Sequence, residues 1–265
     1  MSDGVRPMIE IAGLTHRYNN KMLAVHDINI SIAEGEFVSI IGPSGCGKTT
    51  ILNILAGLVV IDQNQGTVSI GGQPPRAGRR DIAYMLARDS LFPWLTALQN
   101  AEFGTEARGE PADTRREKAI ALLHAVGLKG FETKLPKALS HGMRQRVALA
   151  RTFCLDSQLL LMDEPFGALD AQTKLQLEGV LMQLWAATQR SVIFITHDLA
   201  EAVALSDRVL VMSARPGRLV ANVRIDLKRP RQINELQRDP AYHELYAELW
   251  SQLETGMAMS SGDAE

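Results

Sequence analysis

Cysteine is scarce in this 265-residue chain: there are two, Cys46 and Cys154, far apart in sequence. One falls in a loop motif and the other on a helical pattern. That pairing does not make a disulfide scaffold, and it fits a reducing compartment. Positive charge is not in excess either. The formal net charge is −2, which argues against a general nucleic-acid-binding surface. Long apolar runs are missing. The greasiest stretch, "ILNILAGLVVI" at 51–61, is too short to span a bilayer and contains Asn53. The opening "MSDGVRP" holds no apolar segment of secretory type. The chain is therefore expected to be soluble and cytosolic, with any membrane contact made through a partner. Internal repeats and long heptads are absent too. What is present is 46% hydrophobic residues against 22% charged, enough for a well-buried core.

The patterning is that of an α/β protein. Residues 8–18 and 22–32 read as two strands, and "VHDINISI" alternates as a half-buried antiparallel strand does. "EGE" at 34–36 turns the chain into "FVSII", a short apolar run suited to a buried strand. A glycine-rich loop and the helical "ILNILAGL" follow. "GTVSIGG" and "DIAYML" predict further short strands, joined by the basic loop "QPPRAGRR". From about 93 to 155 the signal is helical, with one helix ending near Gly127. "QLLLMDE", "SVIFITHD" and "DRVLVM" then predict buried strands separated by helices, the longest being "AQTKLQLEGVLMQLWAATQ". This alternation implies a mostly parallel sheet interrupted by a helical block. "PAYHELYAELWSQL" predicts an amphipathic helix, with the tail "MAMSSGDAE" expected to fray.

The chemistry concentrates in four places. Gly42 to Thr49 match G-x-x-x-x-G-K-[ST], after a predicted strand and before a predicted helix, which is the context a phosphate loop requires. Gly42, Pro43, Ser44, Gly45, Cys46, Gly47, Lys48, Thr49 and Thr50 are the candidate ATP-binding residues. Lys48 is placed to reach the β- and γ-phosphates and the Thr49 hydroxyl to bind Mg²⁺. Cys46, at a helix start beside Lys48, is expected to have a lowered pKa and to react with thiol reagents. "LLLMDE" puts Asp163 at a strand end, where it can hold the Mg²⁺ shell, and Glu164 next to it as the residue that polarises the attacking water. "VIFITHD" puts His197 past another buried strand, at the edge where parallel sheets bind ligands. The fourth place is "ALSHGMRQRVALAR" at 138–151. Its Ser140 N-cap, Gly142 and nearby Arg144 and Arg146 look arranged to hold a second anion.

In this order, the phosphate loop, "LSHGMRQR", "LLLMDEPFGALD" and "ITHD" resemble the ATP-binding subunit of an ABC transporter over roughly residues 8–225. The resemblance implies a P-loop ABC-type α/β fold with a RecA-like parallel-sheet core, an antiparallel β subdomain and an inserted helical subdomain at about 88–155. It places the ATPase domain at 1–230 and leaves 231–265 as a C-terminal helical extension and tail. It further implies a head-to-tail pair of copies sharing two ATP molecules. Ser140, the Gly142 backbone and Asp170 would then serve the nucleotide of the partner copy, and Tyr18 would stack on adenine. Glu164 and His197 would be catalytic, and Thr49 and Asp163 would hold Mg²⁺. The apolar cluster Leu91–Trp94 would dock a membrane permease, and a solute-binding protein would be an indirect partner.

Two positions depart from the family pattern. His141 replaces the usual glycine of the signature, costing backbone freedom while adding a donor near phosphate. Ala87 falls where the family carries a metal-holding Gln, which leaves the shell one ligand short. "LFPWLTALQNAEFG", "DEPFGALDAQT" and "SARPGRLVANVRIDLKRPR" resemble importer ATPases of the nitrate, sulfonate and taurine group. The implied place of work is the cytoplasmic side of the inner membrane. Two rivals stand beside this. A soluble ABC ATPase of DNA repair or translation would carry long coiled coils or two cassettes. A P-loop kinase would not need the Ser140 helix start.

Overall fold

The computed structural model describes residues 7–19, 22–87, 90–167 and 169–262. Two sheets organise them. The smaller is antiparallel, in the order β2 (Met22–Ile32), β1 (Ile9–Tyr18), β4 (Thr67–Ile70). Along the second half of β2 every other residue is buried, because one face of this sheet packs on the core and the other meets water.

The larger sheet has six strands: β5 (Ile82–Met85), β6 (Leu159–Asp163), β7 (Ser191–Ile195), β3 (Phe37–Ile41), β8 (Arg208–Met212) and β9 (Leu219–Arg224), in that order. The first five run parallel, and β9 returns antiparallel to β8. Every residue of β3, β6 and β7 is buried. Such strands need apolar side chains on both faces, which explains why they read as continuous runs. Alternate residues feed opposite layers. Phe37 and Ile41 join the core under the helices, where Phe37 lies against Trp185 and Phe194. Val38 and Ile40 join the core under the antiparallel sheet.

The helices are α1 (Lys48–Leu55), α2 (Ala97–Ala107), α3 (Ala112–Ala125), α4 (His141–Cys154), α5 (Ala171–Thr188), α6 (Leu199–Leu205), α7 (Ile233–Leu236) and α8 (Pro240–Gly262). Among them α2, α3 and α4 pack on one another and form the block inserted between β5 and β6. None of the helices in the described residues is long and apolar enough to cross a membrane.

The end of the chain differs from expectation. The helix predicted to fray after about residue 256 continues to Gly262. Its anchors are Leu249, wholly buried, and the close approach of Gly256 to the β8–β9 turn, where Ala214 N–H donates to the Gly256 carbonyl at 3.3 Å. Residues 233–249 contribute Ile233, Leu236, Tyr242 and Leu249 to the same core as the parallel sheet. The expected extension is thus built onto the cassette by shared burial.

Candidate functional site

Three parallel neighbours, β6, β7 and β3, end on one edge, and the chemistry collects there. Gly42 to Gly47 link β3 to α1. Gly47 is the N-cap of α1 at φ 101°, and a Cβ there would fall 2.5 Å from Val25 Cγ1; only glycine fits that approach and that backbone. Having no side chain, Gly47 caps no N–H group, so the first turn of α1 keeps its donors for an anion. Lys48 folds back across the loop and donates to the carbonyls of Gly42 at 2.8 Å and Pro43 at 3.0 Å. The ammonium is thereby fixed over the loop, and among the described residues it has no acidic partner in hydrogen-bond contact.

Thr49 Oγ1 donates to Asp163 Oδ1 at 3.3 Å. These are two hard oxygen donors from different elements, a fit for Mg²⁺. Burial raises the Asp163 carboxyl above its ordinary pKa, against the lowering pull of Thr49 and Lys48. A buried carboxylate in that state favours a cation beside it. Glu164 follows with φ 43°, in the left-handed region. That backbone costs a non-glycine residue about 1–3 kcal/mol and concentrates at functional sites. It turns the carboxylate out of the strand, so that Oε2 lies 3.1 Å from His197 Nδ1. Gln145 of α4 holds the turn from below by donating to the Pro165 carbonyl.

Tyr18 ends β1 with its hydroxyl 3.3 Å from Thr50 Oγ1 and its ring edge-on to His16, centroids 4.8 Å apart. Tyr18, Lys48, Thr49, Thr50 and Glu164 line one cavity of about 230 Å³. The residues of the first three motifs therefore come together within a single chain.

The fourth motif stays apart. Ser140 caps α4, its hydroxyl accepting from Met143 N–H at 3.2 Å, and Asp170 caps α5, accepting from Thr173 N–H at 3.0 Å. The two helix starts abut, since a Cβ on Gly142 would lie 2.7 Å from Thr173 Cγ2. Neither lines the phosphate-loop cavity. The arginines near this helix start also tie it to its surroundings. Arg146 donates to Val126 O at 2.7 Å and Gln176 Oε1 at 2.9 Å, tying α4 to its neighbours. Arg144 donates to Leu139 O at 3.0 Å and to His141 Nδ1 at 3.2 Å.

The expectation for Cys46 is corrected. Its thiol is wholly buried, and burial pushes its pKa up, outweighing the lowering by Lys48. Helix dipole and cation were the visible signals; the wall of protein around the sulfur was not. Cys154 is buried as well and pushed up to about 12. In the folded chain at pH 7.5 both thiols are expected to react with an aromatic disulfide reagent at least about ten-fold more slowly than in denaturant. Equal rates would contradict this burial.

Ala87 lies exposed two residues past the end of β5, and Arg88 and Asp89 fall outside the described residues. In the Leu91–Trp94 cluster, Leu91 packs on the core while Trp94 is 71% exposed. Phe92 bridges Trp94 and Phe103, with centroids 5.6 and 4.4 Å away. The wholly buried Asn100 fixes this loop through Phe92 N and O, Leu95 O and Thr96 O. Sequence reading singled out neither Asn100 nor Gln145. Polar residues on helices give no local sign of which loop they hold.

The chain is similar to several known proteins. The family model for the ABC transporter domain matches residues 25–167. An ATP-binding protein of Brucella abortus is 42% identical over 246 residues, covering 93% of each chain. An uncharacterized ABC transporter ATP-binding protein of Methanocaldococcus jannaschii is 42% identical over 238 residues, 89% of this chain and 88% of that one. The taurine import ATP-binding protein TauB of Yersinia pestis is 39% identical over 219 residues, 83% of this chain and 85% of that one. Among solved structures, a dimeric ATP-binding cassette in a post-hydrolysis state with ADP and Pi superposes with TM-score 0.72 at 29% identity, covering 83% of this chain and all of that one.

Proposed function

Since the chain belongs to the ABC transporter family as an ATP-binding, ATP-hydrolysing subunit, we propose that it powers import of a small solute of nitrate, sulfonate or taurine type through a membrane permease. The observation that carries the catalytic part is the meeting, in one cavity edge, of Lys48, the Thr49–Asp163 pair and the Glu164–His197 pair. The solute class rests on the likeness to the taurine import protein and on the subgroup motifs.

The backbone N–H groups of the phosphate loop and Lys48 hold the β- and γ-phosphates, placing charge where it builds in phosphoryl transfer. Thr49 and Asp163 would hold Mg²⁺, which would offset the negative charge of the phosphates. Glu164 takes the proton of the attacking water as its oxygen bonds to the γ-phosphorus and the bond to ADP breaks. His197 orients that carboxylate and contacts the γ-phosphate. Tyr18 stacks on adenine. Ser140, Gly142 and Asp170 complete the site of a second copy, which accounts for their distance from the cavity in their own chain. Trp94, Phe92 and Leu91 dock the permease at the cytoplasmic face of the inner membrane, and a solute-binding protein delivers the cargo outside.

The test is co-expression with candidate permease and solute-binding proteins from the same genome. The expected result is a membrane complex whose ATPase rises with loaded binding protein and which takes up the solute in vesicles. An active ATPase that captures no multispanning partner would replace transport with the soluble ABC ATPase reading.

A further inference from the structure

The turn between β8 and β9 is pinned onto the phosphate loop by contacts the sequence gives no hint of. Gly217 N–H donates to Ala24 O at 3.0 Å, and its carbonyl accepts from His26 N–H at 2.9 Å, so the turn adds to β2. A Cβ on Gly217 would fall 1.9 Å from the Cys46 carbonyl oxygen, so this backbone touches the phosphate loop where no other residue fits. Ser213 closes the turn, its hydroxyl accepting from Arg218 N–H at 3.0 Å.

Arg215 projects from this fixed turn. Its Nε and Nη2 donate to Gly45 O at 3.2 and 3.1 Å, and its Nη1 reaches Met22 Sδ at 3.2 Å. Both anchors are uncharged. No carboxylate lies within ion-pair distance of it among the described residues, although the side chain is exposed and lines the same cavity as Tyr18, Lys48 and Thr49. A guanidinium has five N–H groups in a rigid fork, suited to two-point contact with phosphate oxygens. Three of them hold it in place here. The remaining donors and the whole positive charge are left for a ligand.

We propose that Arg215 is a nucleotide-binding residue, closing the cavity between the phosphate loop and the paired residues Tyr18 and Met22 and pairing with the polyphosphate chain of the bound nucleotide. This rests on the reading of the cavity as the ATP site. Because Arg215 is held by the loop's own carbonyl, its position moves with the phosphate loop, and the charge is preorganised before the nucleotide arrives.

Three chains test this: the wild type, Arg215→Lys and Arg215→Gln. Gln keeps an amide donor but loses the charge, the guanidinium fork and some of the reach. MgATP and MgADP affinity are measured by titration at low and high salt, with the melting temperature of each chain without nucleotide. The expected result is an Arg215→Gln chain that melts as the wild type does, binds both nucleotides about ten-fold more weakly, and shows a shallower salt dependence. Arg215→Lys should recover most of the affinity. Wild-type affinity in Arg215→Gln would overturn the proposal. So would a fall in melting temperature shared by both variants with equal loss of affinity, since that marks a brace and not a ligand contact. A wild-type chain that binds neither nucleotide would instead remove the ATP-site reading, an outcome separable from these.

Discussion

Glu164→Gln is expected to lower ATP turnover by about 10²–10⁴-fold, the usual contribution of a positioned general base. Gln matches Glu in shape and can still hydrogen-bond His197 Nδ1, which lies 3.1 Å from the carboxylate. It cannot take a proton from water. MgATP affinity should stay within about three-fold, because Lys48 and the Thr49–Asp163 pair are untouched and only a transition-state interaction is lost. The measurement is phosphate release in a single turnover alongside equilibrium binding. Sizing chromatography on the same variant should show an ATP-bound pair of chains, and adding Ser140→Arg should abolish it by placing bulk and charge at the α4 start. Turnover within a few-fold of wild type would mean that the water is activated elsewhere. Glu164→Gly separates geometry from chemistry: glycine tolerates the backbone at φ 43° yet should be as slow as Gln.

Lys174→Met is expected to destabilise the chain by about 2–4 kcal/mol, somewhat less than for a fully buried ion pair, because Lys174 and Asp198 are part-exposed and only Glu201 is buried. Lys174, in the first turn of α5, bridges Asp198 at 2.6 Å and Glu201 at 2.7 Å. Glu201 is itself bonded to Thr196, and Asp198 accepts from Ala200 N–H. His197 stands between the anchored Thr196 and Asp198. Burial works against the Asp198 charge, but the hydrogen bond and charge of Lys174 hold its carboxyl below the usual range. One turn on, Glu178 is pushed up to about 8, first by burial and then by the Glu201 charge. A carboxyl raised in this way contributes stability that is fully present below about pH 4.5, its unfolded value, and is lost as pH rises to about 8. Thermal melts across this range should show Lys174→Met losing most at alkaline pH, where Glu178 ionises beside two uncompensated carboxylates. Glu178→Gln should flatten the pH dependence and soften the Lys174→Met loss. A Lys174→Met chain as stable as wild type at pH 8 would show that these carboxylates are solvated, contrary to their burial.

The parts of this molecule that could be read from its residues are those set locally. The phosphate loop, the wholly buried strands and the Asp163–Glu164 strand end are short stretches whose composition decides their structure. What escaped is set by distant segments. Cys46 looks activated beside Lys48, yet its thiol is wholly buried, and Gly217 of the β8–β9 turn presses on the Cys46 carbonyl. Arg144 and Arg146 also brace α4 through Leu139, Val126 and Gln176, contacts that their spacing does not announce. Arg215 belongs to a motif visible as "RPGR" whose target, Gly45, lies far earlier in the chain. The helix end after residue 256 depended on contacts with residues 213–220 that no local propensity reports.

The place of β3 also sets a timetable for making the protein. Phe37–Ile41 is hydrogen-bonded on one side to β7 and on the other to β8, Arg208–Met212. During synthesis this largely apolar, wholly buried strand emerges about 170 residues before its second neighbour, an interval of about 10–30 s at ordinary translation speeds. The antiparallel sheet can pair early, since β1, β2 and β4 all lie within the first 70 residues. The catalytic edge cannot, because β7 and β8 must first leave the ribosome. A nascent chain halted before residue 191 should therefore be protease-sensitive around residues 37–41, while one released beyond 212 closes the sheet on both sides.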